Sequence, residues 1–217
     1  ENEILQFLNY EGFYISRYEA GLPNKIVNNA IEFNDITNNV DGLPLSKKDQ
    51  IVWNFIDWKT AKNNAQNMYN RKSLKSDLST FRQWEAIELW LNGKGGSEYL
   101  DTKTYGNYSN THFEFTGYYS DNYGKTYQYS ENRNKSEKNI LISTGASEKN
   151  KTKNIYDLAG NVAEFLDSYQ TNYKKLKTIY SCIGGYYDNL NPYSIKKTFG
   201  INKANSIQGF RIVLYQK

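Results

Sequence analysis

Cysteine and histidine are almost missing: the 217 residues include one of each, Cys182 and His112. A single cysteine excludes an internal disulfide and any cysteine-rich zinc site. A single histidine cannot build a histidine-based metal site. No run of 18 apolar residues occurs, so no membrane span is expected in this chain. Long blocks of one charge are missing as well. The net charge of +4 is spread along the chain, and the lysine-rich stretches Lys149–Lys153 and Lys174–Lys177 are short. They read as solvated surface, and with no recognisable nucleic-acid motif, no nucleic-acid partner is expected. There are no internal repeats. The first residue is Glu1 rather than Met, so a fragment or processed form is expected.

What is abundant is tyrosine. The chain has 20 Tyr and 4 Trp, and aromatics make up 16% of it against a mean hydropathy of -0.80. Disordered chains are poor in aromatics, so a folded chain with an aromatic core is expected. The length suits one large domain or two small ones and is enough to bury a core; a single domain, residues 1–217, is expected.

Local patterns place the main elements. Gly12–Ala20, GFYISRYEA, reads as a strand ended by Gly21 and Pro23. Residues 24–50 read as a long Asn- and Asp-rich surface loop. A helix starts near Asp57, a good N-cap, with Trp58, Ala61, Ala65 and Met68 at helical spacing. A second starts at Thr80, where Gln83 completes a capping-box pattern and Phe81, Trp84, Ile87 and Leu91 form an apolar face. Residues 92–154 read as loop-like, which is long for a compact domain. Ile179–Tyr187 and Gly209–Tyr215 read as strands. Between them and the helices lies IYDLAGNVAEF, Ile155–Phe165, which sets Asp157, Gly160, Asn161 and Glu164 among apolar residues. A turn into a core strand, a metal loop and part of an active site all fit that pattern.

Five segments in order resemble the formylglycine-generating enzyme family, also called the sulfatase-modifying factor domain. They are GFYISRYEA, IVWNFIDWKTA, DLSTFRQWEAI, IYDLAGNVAEF and the closing pair IGGYYDN and GFRIVL, spanning Gly12 to Leu214. Ser79 stands where the family usually has Pro, and Ala163 where it has Trp. The resemblance implies an α+β, C-type-lectin-like fold with two helices, small antiparallel sheets and long irregular loops. It also implies a structural calcium ion held by the side chains of Asp157 and Glu164 and the carbonyls of Gly160 and Val162. Hard oxygens around a glycine turn suit calcium. The alternative is a plain turn, with Glu164 bonded to backbone or to Arg.

The family enzyme binds copper through two cysteines after its Gly-Gly motif. Counted from Gly184-Gly185, those positions hold Asn189 and Ser194. Copper(I) needs soft thiolates, so no copper and no copper-dependent cysteine oxidation are expected. Cys182 lies before the Gly pair and reads as a small hydrophobe. The family's iron branches use histidines, which His112 alone cannot replace. Asp121, Glu114, Asp167 and Asp188 show no spacing that sets up an acid–base pair. An oxidoreductase with a nonstandard active site is the alternative to a chain that is not an enzyme.

The vacated region, Tyr186 to Gln208, is rich in Tyr, Asn, Asp and Ser, the residues that binding loops favour. The expected ligand-binding residues are Tyr186, Tyr187, Asp188, Asn189, Asn191, Tyr193, Ser194, Asn202 and Asn205, with Tyr118, Tyr119, Asn122 and Tyr123 joining the same face. The same fold is reused by ligand-binding variable proteins of diversity-generating retroelements. There, changes at adenines vary the segment between the Gly-Gly and Gly-Phe-Arg strands. Most of these residues lie within reach of such changes, although an A/T-rich genome gives the same bias. The expectation is a receptor-binding or adhesion domain, diversified or fixed. Its partner would be a protein or glycan on a target surface, and its place extracellular, on a cell surface or on a virion.

Overall fold

The computed structural model describes residues 12–23, 42–93, 102–135, 139–172, 177–190, 198–200 and 204–216. Among them the architecture is α+β, with two α-helices and four small sheets. The expected first strand is short: β1 (Tyr14–Ile15). It edges a three-stranded antiparallel sheet with β12 (Ile212–Gln216) and β2 (Leu74–Leu78), in the order β1–β12–β2. Past Ile15 the chain leaves this ladder but stays tied to the closing segment. Ser16 N–H donates to the Ile212 carbonyl and Ala20 N–H to that of Phe210, each at 2.9 Å.

Both helices start where their caps predict. α1 (Trp58–Met68) follows Asp57, whose carboxylate accepts from the Thr60 N–H at 2.8 Å. α2 (Phe81–Asn92) follows a complete capping box. Gln83 N–H donates to Thr80 Oγ1 at 3.2 Å, and Thr80 N–H donates to Gln83 Oε1 at 2.8 Å. Trp84, Ile87 and Leu91 form the buried face. Phe81, at the first helical position, stays outside it, 37% exposed.

The middle stretch departs from the loop expected there. It holds a hairpin of β3 (Phe113–Ser120) and β4 (Gln128–Lys135), with β5 (Leu141–Ile142) on the other side of β3. The signal is the alternation in FEFTGYYS: Phe113, Phe115 and Tyr119 are buried, while Glu114 and Thr116 are exposed. Of the loop expected over 24–50, residues 42–50 are irregular and 24–41 lie outside the described residues.

A two-stranded ladder, β6 (Lys151–Thr152) and β7 (Ile155–Tyr156), leads into the DLAGN turn. Beyond it, β8 (Ala163–Asn172) pairs antiparallel with β9 (Lys177–Ile183). β10 (Thr198–Gly200) flanks β9, and β11 (Gln208–Phe210) flanks β8 in parallel. The closing run Gly209–Tyr215 is therefore not one strand. It breaks at Arg211, with β11 in one sheet and β12 in another. The strand expected over Ile179–Tyr187 likewise stops at Ile183, where Gly184 and Gly185 turn the chain with φ of 93° and 74°. The main core gathers Trp53, Phe55, Phe165, Tyr187 and Phe210 between these layers. Trp84, Leu158, Leu166 and Ile183 form a second core under α2. Among the described residues, no helix is long and apolar enough to cross a membrane.

Candidate functional site

The DLAGN turn sits on a buried charged cluster. Glu19, Asp157, Glu164 and Arg211 come from four segments, and each is at most 1% exposed. Arg211 joins them because it lies at the seam between β11 and β12. Its Nε donates to Glu164 Oε1 at 2.7 Å. Its Nη atoms donate to the carbonyls of Ser16, Tyr156 and Asp157, at 3.0, 2.8 and 3.0 Å. Glu19 accepts from Asn161 Nδ2 at 2.6 Å and from the Val162 N–H at 3.3 Å. Asn161 Oδ1 in turn accepts from Asn107 Nδ2 at 3.0 Å and the Ile142 N–H at 3.1 Å. Asp157 Oδ2 accepts from the Gly145 N–H at 2.8 Å. Gly160 is required by closeness as well as by its φ of 73°. A Cβ there would stand 2.1 Å from the Asn107 carbonyl oxygen.

Three buried carboxylates thus lie within electrostatic reach of one guanidinium, and Glu164 bonds it directly. Burial pushes the Glu164 carboxyl up to about 7 and that of Asp157 up to about 6, with Arg211 opposing both. Burial also holds Glu19 well above the usual carboxylate range, and repulsion from Asp157 and Glu164 adds to it.

The calcium expectation meets a mixed ligand set here. Glu164 is bonded to Arg211, as the plain-turn reading has it. Among the described residues, no group of three or more His, Cys, Asp or Glu is placed to share a metal ion. Yet Asp157 Oδ1 and Glu164 Oε2 are buried with no hydrogen-bond partner. The Asn150 side-chain amide lies beside Asp157 and favours its ionised form. Orphaned buried oxygens are what a hard cation or a buried water would satisfy.

The second part of the site is the turn after β9. Asn189 closes it: its Oδ1 accepts from the Tyr186 N–H at 2.8 Å, and its own N–H donates to the Tyr186 carbonyl at 2.9 Å. Ser109 clamps it from outside, donating to the Asn189 carbonyl from N–H and Oγ at 3.1 and 3.0 Å. Tyr108 OH donates to the Gly184 carbonyl at 3.0 Å. The 108–111 loop is itself held by Lys135, whose ammonium donates to the carbonyls of Tyr108 and Thr111. Lys135 is 2% exposed, and burial lowers it to about 8.

Two expected contact residues, Tyr187 and Tyr119, are corrected by this geometry. Tyr187 is fully buried in the main core, its phenol pushed up to about 12 by burial, so it cannot touch a partner. Tyr119 is buried too, with the Arg133 guanidinium 4.1 Å above its ring. Asn189 and Asn205 use their side chains inside turns, Asn205 by accepting from the Ile207 N–H at 3.0 Å and donating to Gln208 Oε1 at 2.7 Å. Asp188 accepts from Asn139 Nδ2. Asn191, Tyr193, Ser194 and Asn202 lie outside the described residues. Tyr186 is half-buried, as are Asp188, Asn189 and Asn205. Tyr123 is 52% exposed and leans on the Tyr187 ring at 6.4 Å. Tyr129, 56% exposed, stands edge-on to Tyr118 at 5.2 Å on the same hairpin.

The chain is similar in fold to CarF. The crystal structure of CarF matches with a TM-score of 0.50 and 15% identity, over 75% of this chain and 66% of CarF. The chain therefore spans just under two thirds of that structure's length. The likeness supports a related fold and carries no chemistry with it. No family model matches the chain, and no curated protein does.

Sequence reasoning assigned no role to Glu19, Asn107, Asn150, Asn161 or Arg211. The signal for two of them was present: Glu19 in ISRYEA and Arg211 in GFRIV are charges inside apolar, strand-forming runs, where a charge is buried and paired. Cys182 is buried as expected, its sulfur accepting from Gln208 Nε2 at 3.3 Å.

Proposed function

We propose that this chain is a non-catalytic ligand-binding domain of formylglycine-generating-enzyme-like, C-type-lectin-like fold. The observation that supports this reading best is a clamped turn carrying Tyr186, with the exposed Tyr123 of the β3–β4 hairpin against its neighbour Tyr187. Tyrosine gives wide contact area at low entropic cost, and a clamped scaffold limits what is lost on binding. The position where the family has its first copper-binding cysteine is Asn189, whose amide closes a turn, and this favours binding over copper chemistry. Asp157 and Glu164 would hold a structural calcium ion through their free oxygens, fixing the loops around the cluster. The partner would be a protein or glycan on a target surface, met from a cell surface or a virion. Diversification by a retroelement would act on the segment after Gly185.

Two experiments test this. Labelled chain is applied to candidate host cells. Tyr123→Ala combined with Tyr186→Ala is expected to weaken binding at least about tenfold while the chain stays folded, with a smaller stability loss than a core truncation, since Tyr186 only partly packs on the main core. Undiminished binding would move the site elsewhere. Tyr187→Ala is the contrasting variant, expected to lose about 3 kcal/mol of stability as a core aromatic truncation. The second experiment is deep sequencing of codons 180–208 across a host population. Substitutions confined to adenine positions support a diversified protein, whereas a uniform segment leaves a fixed binding domain.

A further inference from the structure

We propose that Lys135 is a positioning residue for the turn that carries Tyr186, a tie between hairpin and turn whose tightness follows its protonation. What the tie means for binding rests on the reading of that turn as part of a ligand face; the tie itself does not. Lys135 ends β4 opposite Phe113 of β3, so its backbone belongs to the hairpin. Its ammonium lies 5.4 Å from the Phe113 ring centroid and donates to the carbonyls of Tyr108 and Thr111.

The Tyr108–Ser109 peptide group carries the connection. Its carbonyl accepts from Lys135, and its N–H, on Ser109, donates to the Asn189 carbonyl at 3.1 Å. A peptide group is planar and stiff, so fixing its oxygen fixes the direction of its N–H. The loop is otherwise closed on itself: Thr111 N–H and Oγ1 donate to the Tyr108 carbonyl at 3.2 and 2.9 Å. A second arm leaves from the same residue. The Tyr108 ring lies under Gly185, where an added Cβ would meet a ring carbon at 3.0 Å, and its hydroxyl holds the Gly184 carbonyl. The arms grip the chain on both sides of Tyr186, and Lys135 holds the point from which both start.

The charge on this tie is uncompensated. Among the described residues no carboxylate lies within 4.0 Å of the ammonium. The titratable groups on the elements around it are Tyr108, His112, Glu114 and Asp188. The Tyr108 phenol is pushed up to about 12 by burial and bonds Gly184 and Thr102 instead. His112 and Glu114 are exposed, and Asp188 accepts from Asn139. Buried lysines are as a rule paired, and this one is held by neutral oxygens.

The sign of the pH response follows. Burial lowers Lys135 to about 8, against 10.5 for a solvated lysine. The closed loop buries the amine, and the opened loop returns it to water. Below about pH 8 both forms carry the proton, and the closed form bears the desolvation. As pH rises through about 8 the closed form loses its proton first. Opening then becomes rarer, by up to about tenfold per pH unit, until the solvated value is reached. The neutral amine still has an N–H for each carbonyl. The tie is therefore looser at neutral pH and tighter in alkali.

The test is amide hydrogen exchange on the full chain from about pH 7 to about pH 9.5, corrected for the base-catalysed intrinsic rate. The reporters are the N–H groups of Ser109 and Asn189. The reference is the Asp167 N–H, which bonds the Ser79 carbonyl in another part of the fold. Protection of both reporters is expected to rise at least about tenfold over this range, while that of Asp167 does not rise. Lys135→Met should lower protection of both reporters at least about tenfold at pH 7, remove the rise, and change Asp167 by no more than about threefold. Equal loss at all three amides, unchanged reporters, or a rise that persists in Lys135→Met would overturn the proposal. If that variant does not fold, the parent profile decides alone, and a flat one overturns it. No ligand enters this readout, so its failure leaves the tyrosine-face reading standing. Failure of the Tyr123→Ala, Tyr186→Ala binding experiment in turn leaves the tie standing.

Discussion

Arg211→Met is expected to cost about 3–5 kcal/mol of stability, or to prevent folding outright, because it leaves buried carboxylates without their cation. The side chain is fully buried and makes four charge-assisted contacts to three separate segments. Through Ser16 it ties down the first strand segment, through Tyr156 and Asp157 the DLAGN turn, and through Glu164 the start of β8. It also sits where the chain passes from one sheet to another. Methionine fills much of the volume, so the loss reports charge and hydrogen bonding rather than a cavity. Arg211→Lys keeps the charge but cannot reproduce the planar fork, and it should lose an intermediate amount. Adding Glu164→Gln to Arg211→Met should restore part of the loss, since the two are coupled partners. Urea unfolding gives the numbers. A loss for Arg211→Met below about 1 kcal/mol would show that the cluster does not hold the sheets together.

The features legible in the sequence were those decided within a few residues. Asp57 and the Thr80–Gln83 pair announce their helices because a cap is a local hydrogen bond. The turn at Gly184-Gly185 follows from backbone freedom that glycine has and other residues lack. What could not be read was decided by distant chain. Tyr186 and Tyr187 are adjacent and identical, yet one is half-buried and the other wholly inside. Contacts from distant chain, such as the Tyr187 N–H to the Asn161 carbonyl, accompany that difference. The break at Arg211 is similar. GFRIVLY has the composition of one strand, and the switch between sheets appears only when β8 and β2 are both in place. The β3–β4 hairpin is a different kind of miss. Its period-two alternation spans too few residues to stand out among Asn, Ser and Gly.

Raising the pH from about 5 to about 8 in the presence of chelator is expected to destabilise the protein. The sign follows from the cluster. Glu19, Asp157 and Glu164 have folded-state pKa values raised by burial, with Asp157 near about 6 and Glu164 near about 7. In the unfolded chain the same groups ionise in the ordinary carboxylate range. Between those limits the folded state binds more protons, so stability is full at the acid end and is lost as pH rises through the folded values. Each extra proton held contributes a slope of about 1.4 kcal/mol per pH unit. Glu148 works the other way, its carboxylate held low by the Lys151 ammonium and the Tyr156 hydroxyl, but it is exposed and solvent screening keeps its effect small. Calcium changes the experiment in a telling direction. An ion on the free oxygens of Asp157 and Glu164 would favour their ionised forms, so it would bind more tightly as pH rises and would flatten or reverse the slope. Melting curves across this range, with chelator and with millimolar calcium, therefore separate two ways of balancing the same charge. A slope that calcium leaves unchanged assigns the balance to Arg211 and bound protons alone. A slope that calcium removes assigns the orphaned oxygens to the ion. No slope in either buffer would mean that the three carboxylates are not sharing one buried site.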